Sequence, residues 1–352
     1  MKKHLSLLLM LLIFSAPAAA AELTLTALLQ AVAKQPDLAA SALEVKATEA
    51  RLKQAYAEFY PKVSAFGSYE IYNSPTNLRP MTPTEINVAA GDAIPFSKQI
   101  SRYGLRLEMP LFIKELYTLA DKVKKLQKAS QTGYQLRLVT RQAAVVMLDA
   151  SLAFNSYLDK AIVSRLTSLQ KTLDDLQLAV DNGRTPGSNL VKVQTLFNDL
   201  QKQRNDLQRQ ATSLSSQIEQ LTGIRLEQFV PIALKRPVQA DDFIREQQQL
   251  AQVAAAEKER QRVKEQRYPA LKLEGFVSEN SGEAYNTDQS IDRTYNFVGV
   301  KLTLPLFNRS LDTARTQADI ALRRERHKLS QLQIDLRAPA ESLHLQLPLI
   351  ER

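Results

Sequence analysis

Cysteine is absent from all 352 residues. Disulfides, thiolate metal sites and lipid attachment at a processed N-terminal cysteine are therefore excluded. Histidine is scarce, and only His327 and His344 lie beyond residue 21. His327 sits among Arg323, Arg324, Arg326 and Lys328, the composition of a solvated helix face. A glycine-rich phosphate loop, a metal-ligand spacing and a nucleophile with a base at a recognisable distance are all missing. No catalytic, cofactor-binding or metal residue is assigned, and the chain reads as a non-enzyme. Beyond residue 21 there is also no run of 18 apolar residues, which excludes a transmembrane helix. A chain of this kind crosses a membrane only as a closed barrel of strands.

What is present begins with a leader. Lys2 and Lys3 precede an apolar run from Leu5 to Phe14 and then Ala19-Ala20-Ala21. This is the layout of a secretory signal peptide over 1–21, with cleavage expected before Glu22. Removing Lys2 and Lys3 lowers the formal charge of +9 to +7. A basic balance suggests nucleic acid, but export and the scatter of the charges argue against that partner.

The dominant stretch runs from Leu116 to Leu221. Leu166, Leu169, Leu173, Leu176 and Val180 alternate at three and four residues. After a polar break the same alternation continues through Leu190, Val193, Phe197, Leu200, Leu207, Ala211, Leu214, Ile218 and Leu221, with Arg204 out of character. A 3.5-residue period is the seam of a coiled coil. Between the runs, Gly183 suits the left-handed end of a helix and Ser188 or Asn189 suits the cap of the next. The ingoing helix starts near Ile113, so about 68 residues at 1.5 Å each give roughly 100 Å. Asp174 and Asp175 read as an exposed helix face, with a pore carboxylate pair as the alternative. Arg184 reads equally as a solvated turn residue or as a gating or docking contact.

Thr24 to Phe59 reads as helix, with Pro36 in the first turn of a second segment. After Tyr60-Pro61 the period becomes two, with Val63, Ala65, Gly67, Tyr69 and Ile71 on one side. Asn73–Ile100 reads as a long loop. Alternation then resumes at Leu105, Leu107 and Met109 and is expected to end at Pro110. Residues 224–240 form an irregular linker, and Asp241-Asp242 offers a helix start. The landmarks then recur: Tyr268-Pro269 with Gly275, a loop over Glu279–Arg293, and Gly299 to Phe307 matching Gly104 to Phe112. The chain is thus an internal duplication of helix, two strands, long helix and return helix, with copies at 22–223 and 241–352.

Strands of about ten alternating residues fit a tilted crossing of an outer membrane. The alternative is four strands of a soluble sheet, but the neighbouring helices are too polar to cover one. Four strands cannot close a barrel, so other subunits must complete it. Val63, Ala65, Tyr69, Leu105, Leu107, Leu271, Leu273, Val300 and Leu302 are expected to face lipid. Lys62, Glu70, Arg106, Glu108, Lys272, Glu274 and Lys301 are expected to face the lumen, because a charge in mid-membrane costs about 2–4 kcal/mol. The two strand loops should lie outside the cell, since the other strand ends lead to helices.

Together, the leader, the Leu25–Leu38 segment, Tyr60-Pro61, Gly104 to Phe112, Asn182-Gly183-Arg184 and the second set of strand landmarks resemble the TolC family of outer-membrane efflux proteins. The resemblance covers 24 to about 335. It implies a mainly α fold with a small β part: long antiparallel coiled-coil helices in a periplasmic α-barrel, and four transmembrane strands per subunit. A homotrimer would close a twelve-stranded barrel in outer-membrane lipid. The implied function is an exit duct for small molecules or proteins, working with a periplasmic adaptor and an inner-membrane transporter. By position, Asp181 and then Asn182, Gly183, Arg184, Thr185, Pro186, Gly187, Ser188, Asn189 and Leu190 would form the first-repeat tip, where the adaptor docks.

The second copy departs from the family pattern. Its long helix should run some 68 residues from Asn308, with Pro339 and Pro348 each expected to break it. A second tip and a second return helix are not assigned, and the second repeat reads as truncated after about 336. A truncated or frameshifted, non-functional member of the family is one alternative. A periplasmic coiled-coil adaptor or scaffold is another, though an adaptor needs lipoyl-like halves around its hairpin and a scaffold would show no strand duplication.

Overall fold

The computed structural model describes residues 23–81, 85–232 and 243–350. The leader, Asp241-Asp242 and residues 233–240 of the 224–240 linker lie outside the described residues, as does the side chain of His344. The described chain divides into two compact units, one holding residues up to 43 and 134–241, the other 44–133 and 242–352.

The first unit is helical, and two of its helices run on into the second unit. Helix α1 (Leu25–Ala33) is capped by Thr24, whose hydroxyl accepts from the Ala27 N–H at 3.3 Å. Helix α2 (Pro36–Ala57) starts on Pro36, where a missing N–H costs nothing. Helix α3 (Lys114–Asp181, 68 residues) and helix α4 (Gly187–Thr222) form the expected hairpin. Leu28, Val32, Leu38, Val145, Leu152, Leu214, Ile218, Leu226 and Val230 make one core. Along the seam Leu166, Leu169 and Leu173 are buried, and Leu176 and Val180 are half-buried. Leu190, Val193, Phe197, Leu200, Leu207 and Ala211 are half-buried in the return helix. Arg204 keeps its place in that seam because its Nε donates to Asp159 Oδ1 at 3.0 Å across the hairpin.

The second unit holds one antiparallel sheet in the order β1-β2-β3-β4. Its strands are β1 (Lys62–Asn77), β2 (Phe96–Phe112), β3 (Ala270–Glu283) and β4 (Ser290–Thr303). They are longer than the ten residues expected, and the loops shrink to 78–95 and 284–289. Prolines at positions read as loop or strand end are accommodated. Pro75 falls where the β1–β2 register shifts, on a strand with one neighbour. Pro110 lies beyond the last β1–β2 pair and beside a shift in the β2–β3 register. Proline is tolerated at such places because no ladder N–H is required of it.

Helix α5 (Ile244–Glu265) packs on α6 (Arg309–Ile350) through Arg260–Asp319 at 2.5 Å, Arg326–Glu257 at 2.7 Å and Gln333–Glu246 at 2.7 Å. Neither Pro339 nor Pro348 ends α6. Each proline removes one rung of the ladder and costs about 3 kcal/mol, but the rungs before and after it remain.

Candidate functional site

The strand register assigns faces without reference to any membrane. Lys62 pairs with Glu108, Glu108 with Glu274, and Glu274 with Gly299. Ser64, Arg106, Phe276 and Phe297 form the next row, and Pro110, Lys272 and Lys301 the row before. Glu70 lies further along, opposite Ile100. All seven charged residues singled out from the sequence therefore share one face, because directly paired residues point the same way and alternate residues agree. The nine apolar residues singled out share the opposite face through the pairs Val63↔Leu107, Ala65↔Leu105, Leu271↔Leu302 and Leu273↔Val300.

The apolar face is bare. Val63, Tyr69, Leu105, Val277, Val298, Val300 and Leu302 are each more than half exposed, and neither hydrophobic core includes a residue from this face. The charged face carries a Lys301–Glu274 pair at 3.4 Å, a Lys62–Glu58 pair at 2.5 Å, and Arg106 over the Phe66 ring at 5.4 Å. It also holds a tighter cluster at Glu70. That carboxylate accepts from Arg102 Nε at 3.0 Å, from the Tyr72 hydroxyl at 2.6 Å and from the Ser68 hydroxyl at 2.9 Å. Arg102 and Tyr72 were not singled out from the sequence; their signal was only membership of the same alternate row.

The hairpin turn is defined by its backbone. Gly183 has φ +66. The N–H of Gly183 donates to Val180 O at 2.9 Å and that of Arg184 to Ala179 O at 2.8 Å. These two bonds close the helix in the Schellman arrangement, which requires a left-handed residue at the glycine. Asn182 adds a side-chain bond from Nδ2 to Leu178 O at 2.8 Å. The next helix does not begin on a side-chain cap from Ser188 or Asn189. Its N-cap is Pro186, with no side-chain cap bond, and Gly187, Ser188 and Asn189 are already helical. Proline suits that place because its fixed φ matches the chain entering a helix. Asn182, Gly183, Arg184, Pro186, Gly187, Ser188 and Asn189 are exposed, while Thr185 and Leu190 are half-buried. Beside the turn, Leu178 and Val191 are exposed although apolar; both are off the seam, the signal that could have marked them. Asp174 is likewise exposed and accepts from Gln170 at 3.0 Å.

Among the carboxylates perturbed away from the strands are Glu259 and Asp149. Glu259 on α5 accepts from Arg262 at 2.9 and 3.0 Å and from Lys122 Nζ at 2.9 Å. The hydrogen-bonded guanidinium holds its pKa at about 2, against the burial that opposes it. Arg262 also reaches Glu115 at 3.0 Å, tying α5 to the start of α3. In the helical unit Asp149 is fully buried; its Oδ1 accepts from the Val230 N–H at 2.9 Å, and Oδ2 has no partner among the described residues. Burial pushes this carboxyl up and the Val230 N–H pulls it back. Among the described residues no group of three or more His, Asp or Glu side chains could hold a metal ion, and no helix is long and apolar enough to cross a membrane.

No family model and no curated protein sequence matches the chain. Solved structures do. The outer membrane protein VceC of Vibrio cholerae superposes with a TM-score of 0.74 at 13% identity, covering 92% of this chain and 79% of VceC. The CmeC outer membrane channel of Campylobacter jejuni gives 0.68 at 14%, with 88% and 67% covered. The open state of the MtrE outer membrane channel of Neisseria gonorrhoeae gives 0.60 at 16%, with 93% and 74% covered.

Proposed function

We propose that this chain, whose fold is that of the TolC-family outer-membrane channels, is itself an outer-membrane channel subunit: the passive exit duct of a tripartite efflux or secretion system. The observation that carries the reading is the division of the sheet into a charged face and an exposed apolar face. A soluble protein rarely leaves such an apolar surface bare. Lipid covers it at no cost, and the charged face then lines the lumen. Copies of the chain, three in the homotrimer we favour, would close the barrel. The helices would extend into the periplasm, with residues 22–223 and 241–352 as two copies of one design. Asn182 to Leu190, with the exposed Leu178 and Val191 beside them, would meet a periplasmic adaptor coupled to an inner-membrane transporter. The two strand loops would lie outside the cell.

Since the chain has no cysteine, single cysteines report without background. Val63→Cys, Leu105→Cys and Val300→Cys should react with a lipid-soluble maleimide and resist a membrane-impermeant one. Lys62→Cys, Glu108→Cys and Lys301→Cys should do the reverse. Equal labelling of both sets by the lipid-soluble reagent overturns the assignment. Fractionation to the outer membrane separates this reading from a periplasmic adaptor or scaffold.

A further inference from the structure

The charged face changes character along its length. At the end next to the helices, Lys62 and Lys301 have side chains 61% and 62% exposed. At the far end of the same face, Ile100 is 0% exposed, Asn280 1% and Ile291 4%. Something covers that end, and the cover is the chain itself. On leaving β1 the backbone turns over the charged face, where Leu78 is fully buried against Ile100, Ile291 and Ala284, with Ala93 packed beside them.

Both legs of this connection are fastened. Arg102 projects from the charged face and spends all its reach here: Nε on Glu70, Nη1 on Leu78 O at 2.8 Å and Nη2 on Asn77 O at 3.2 Å. A guanidinium is always charged and presents its donors in a fixed fork, so one residue can bind a carboxylate and two carbonyls together. The returning leg is held by Asn286 of the other loop. Its Oδ1 accepts from the Ile94 N–H at 3.0 Å and its Nδ2 donates to Asp92 O at 2.9 Å. The Tyr285 N–H donates to Phe96 O at 2.9 Å beside it.

We infer that the end of the duct farthest from the helices is narrowed by these two legs, and that Arg102 is the positioning residue that holds them over the lumen. The inference rests on the proposal that the charged face is the inner one. Given that, each copy brings Leu78 and Ala93 inward, so the opening is set by folded backbone and not by strand side chains alone. Arg102 and Asn286 would then help decide how large a solute leaves the duct.

The test uses the full chain with Leu78→Cys as a reporter and planar bilayers for conductance. In the otherwise unaltered chain Cys at 78 should react slowly with a water-soluble maleimide. Arg102→Gln should speed that reaction by roughly tenfold or more, since a buried group becomes reachable when its ties are cut, and Arg102→Lys should fall between. Asn286→Ala releases the other leg without touching the ion pair, and heat-modified mobility reports whether each variant still folds and assembles. Channels of Arg102→Gln and Asn286→Ala should show higher conductance and admit larger polyethylene glycols. Unchanged labelling overturns the fastening. Faster labelling with unchanged conductance and size limit overturns the placement over the lumen while leaving the duct intact. Failure of the unaltered chain to form any channel overturns the duct proposal and this inference with it.

Discussion

Gly104 and Gly67 are both small residues in paired strands, yet adding one methyl group to each should have opposite consequences. A Cβ on Gly104 would lie 2.0 Å from Val277 O and 2.8 Å from Ser278 Cα. Both obstacles are backbone of β3, so no rotamer change removes them, and β2 must part from β3. That pairing joins the two halves of the sequence. Gly104→Ala should therefore cost about 3 kcal/mol or more, the upper range for overpacking. A Cβ on Gly67 would meet only Arg102 O, at 3.9 Å, an ordinary contact. Gly67→Ala should stay within about 0.5 kcal/mol of the parent. Gly275→Ala should fall between, because its Cβ meets Val298 Cγ2 at 2.9 Å and Phe297 O at 3.0 Å. Urea unfolding in detergent, followed by circular dichroism, gives the order directly. If Gly104→Ala unfolds at the same midpoint as Gly67→Ala, the β2–β3 register described above is wrong.

Three further outcomes follow from the helices. Glu259, held at about 2 against an ordinary 4.5, supports the fold above pH 4.5 and loses that support as pH falls toward 2. For a side chain 27% exposed the support is about 1–2 kcal/mol after solvent screening; Glu259→Gln should remove it at pH 7 and flatten the acid limb of a stability profile. Asp149 has the opposite sign: its raised pKa makes the folded chain gain stability as pH falls through that value toward 3.8. Asp149→Asn should abolish this gain with no loss at pH 7, while Asp149→Ala should cost about 1–3 kcal/mol by stranding the Val230 N–H. At the hairpin, Gly183→Val should cost about 1–2 kcal/mol because φ is positive there. Gly187→Ala should be silent in the fold, its Cβ meeting nothing within 4 Å; circular dichroism melting and adaptor pull-down would check both.

The features legible in the sequence were those that repeat. The three-and-four alternation located the hairpin seam, including its one charged member, and the period of two placed sixteen strand residues on two faces that the register keeps apart. Features carried by a single residue or a distant partner were not legible. Pro75 read as part of a loop and Pro110 as a strand end, because whether a proline breaks a ladder depends on which neighbour lies opposite. Pro339 and Pro348 read as helix breaks for the same reason of local propensity. The cap at Pro186 carries no side-chain bond and so has no sequence signature. The Arg102 cluster and the Asn286 bracket join residues up to 194 positions apart, and no spacing announces them.

The sheet has an even number of strands, and that parity has a consequence for assembly. With order β1-β2-β3-β4 and every neighbour antiparallel, β1 and β4 run in opposite directions at the two open edges. In a barrel closed by several copies, the last strand of one would therefore meet the first strand of the next in the same antiparallel sense found inside the chain. Strand direction alone would then set no number of copies, and that choice would fall to the helices. In such a ring, substitutions in the strands should change how firmly it closes, and substitutions on the helix faces between copies how many members it has.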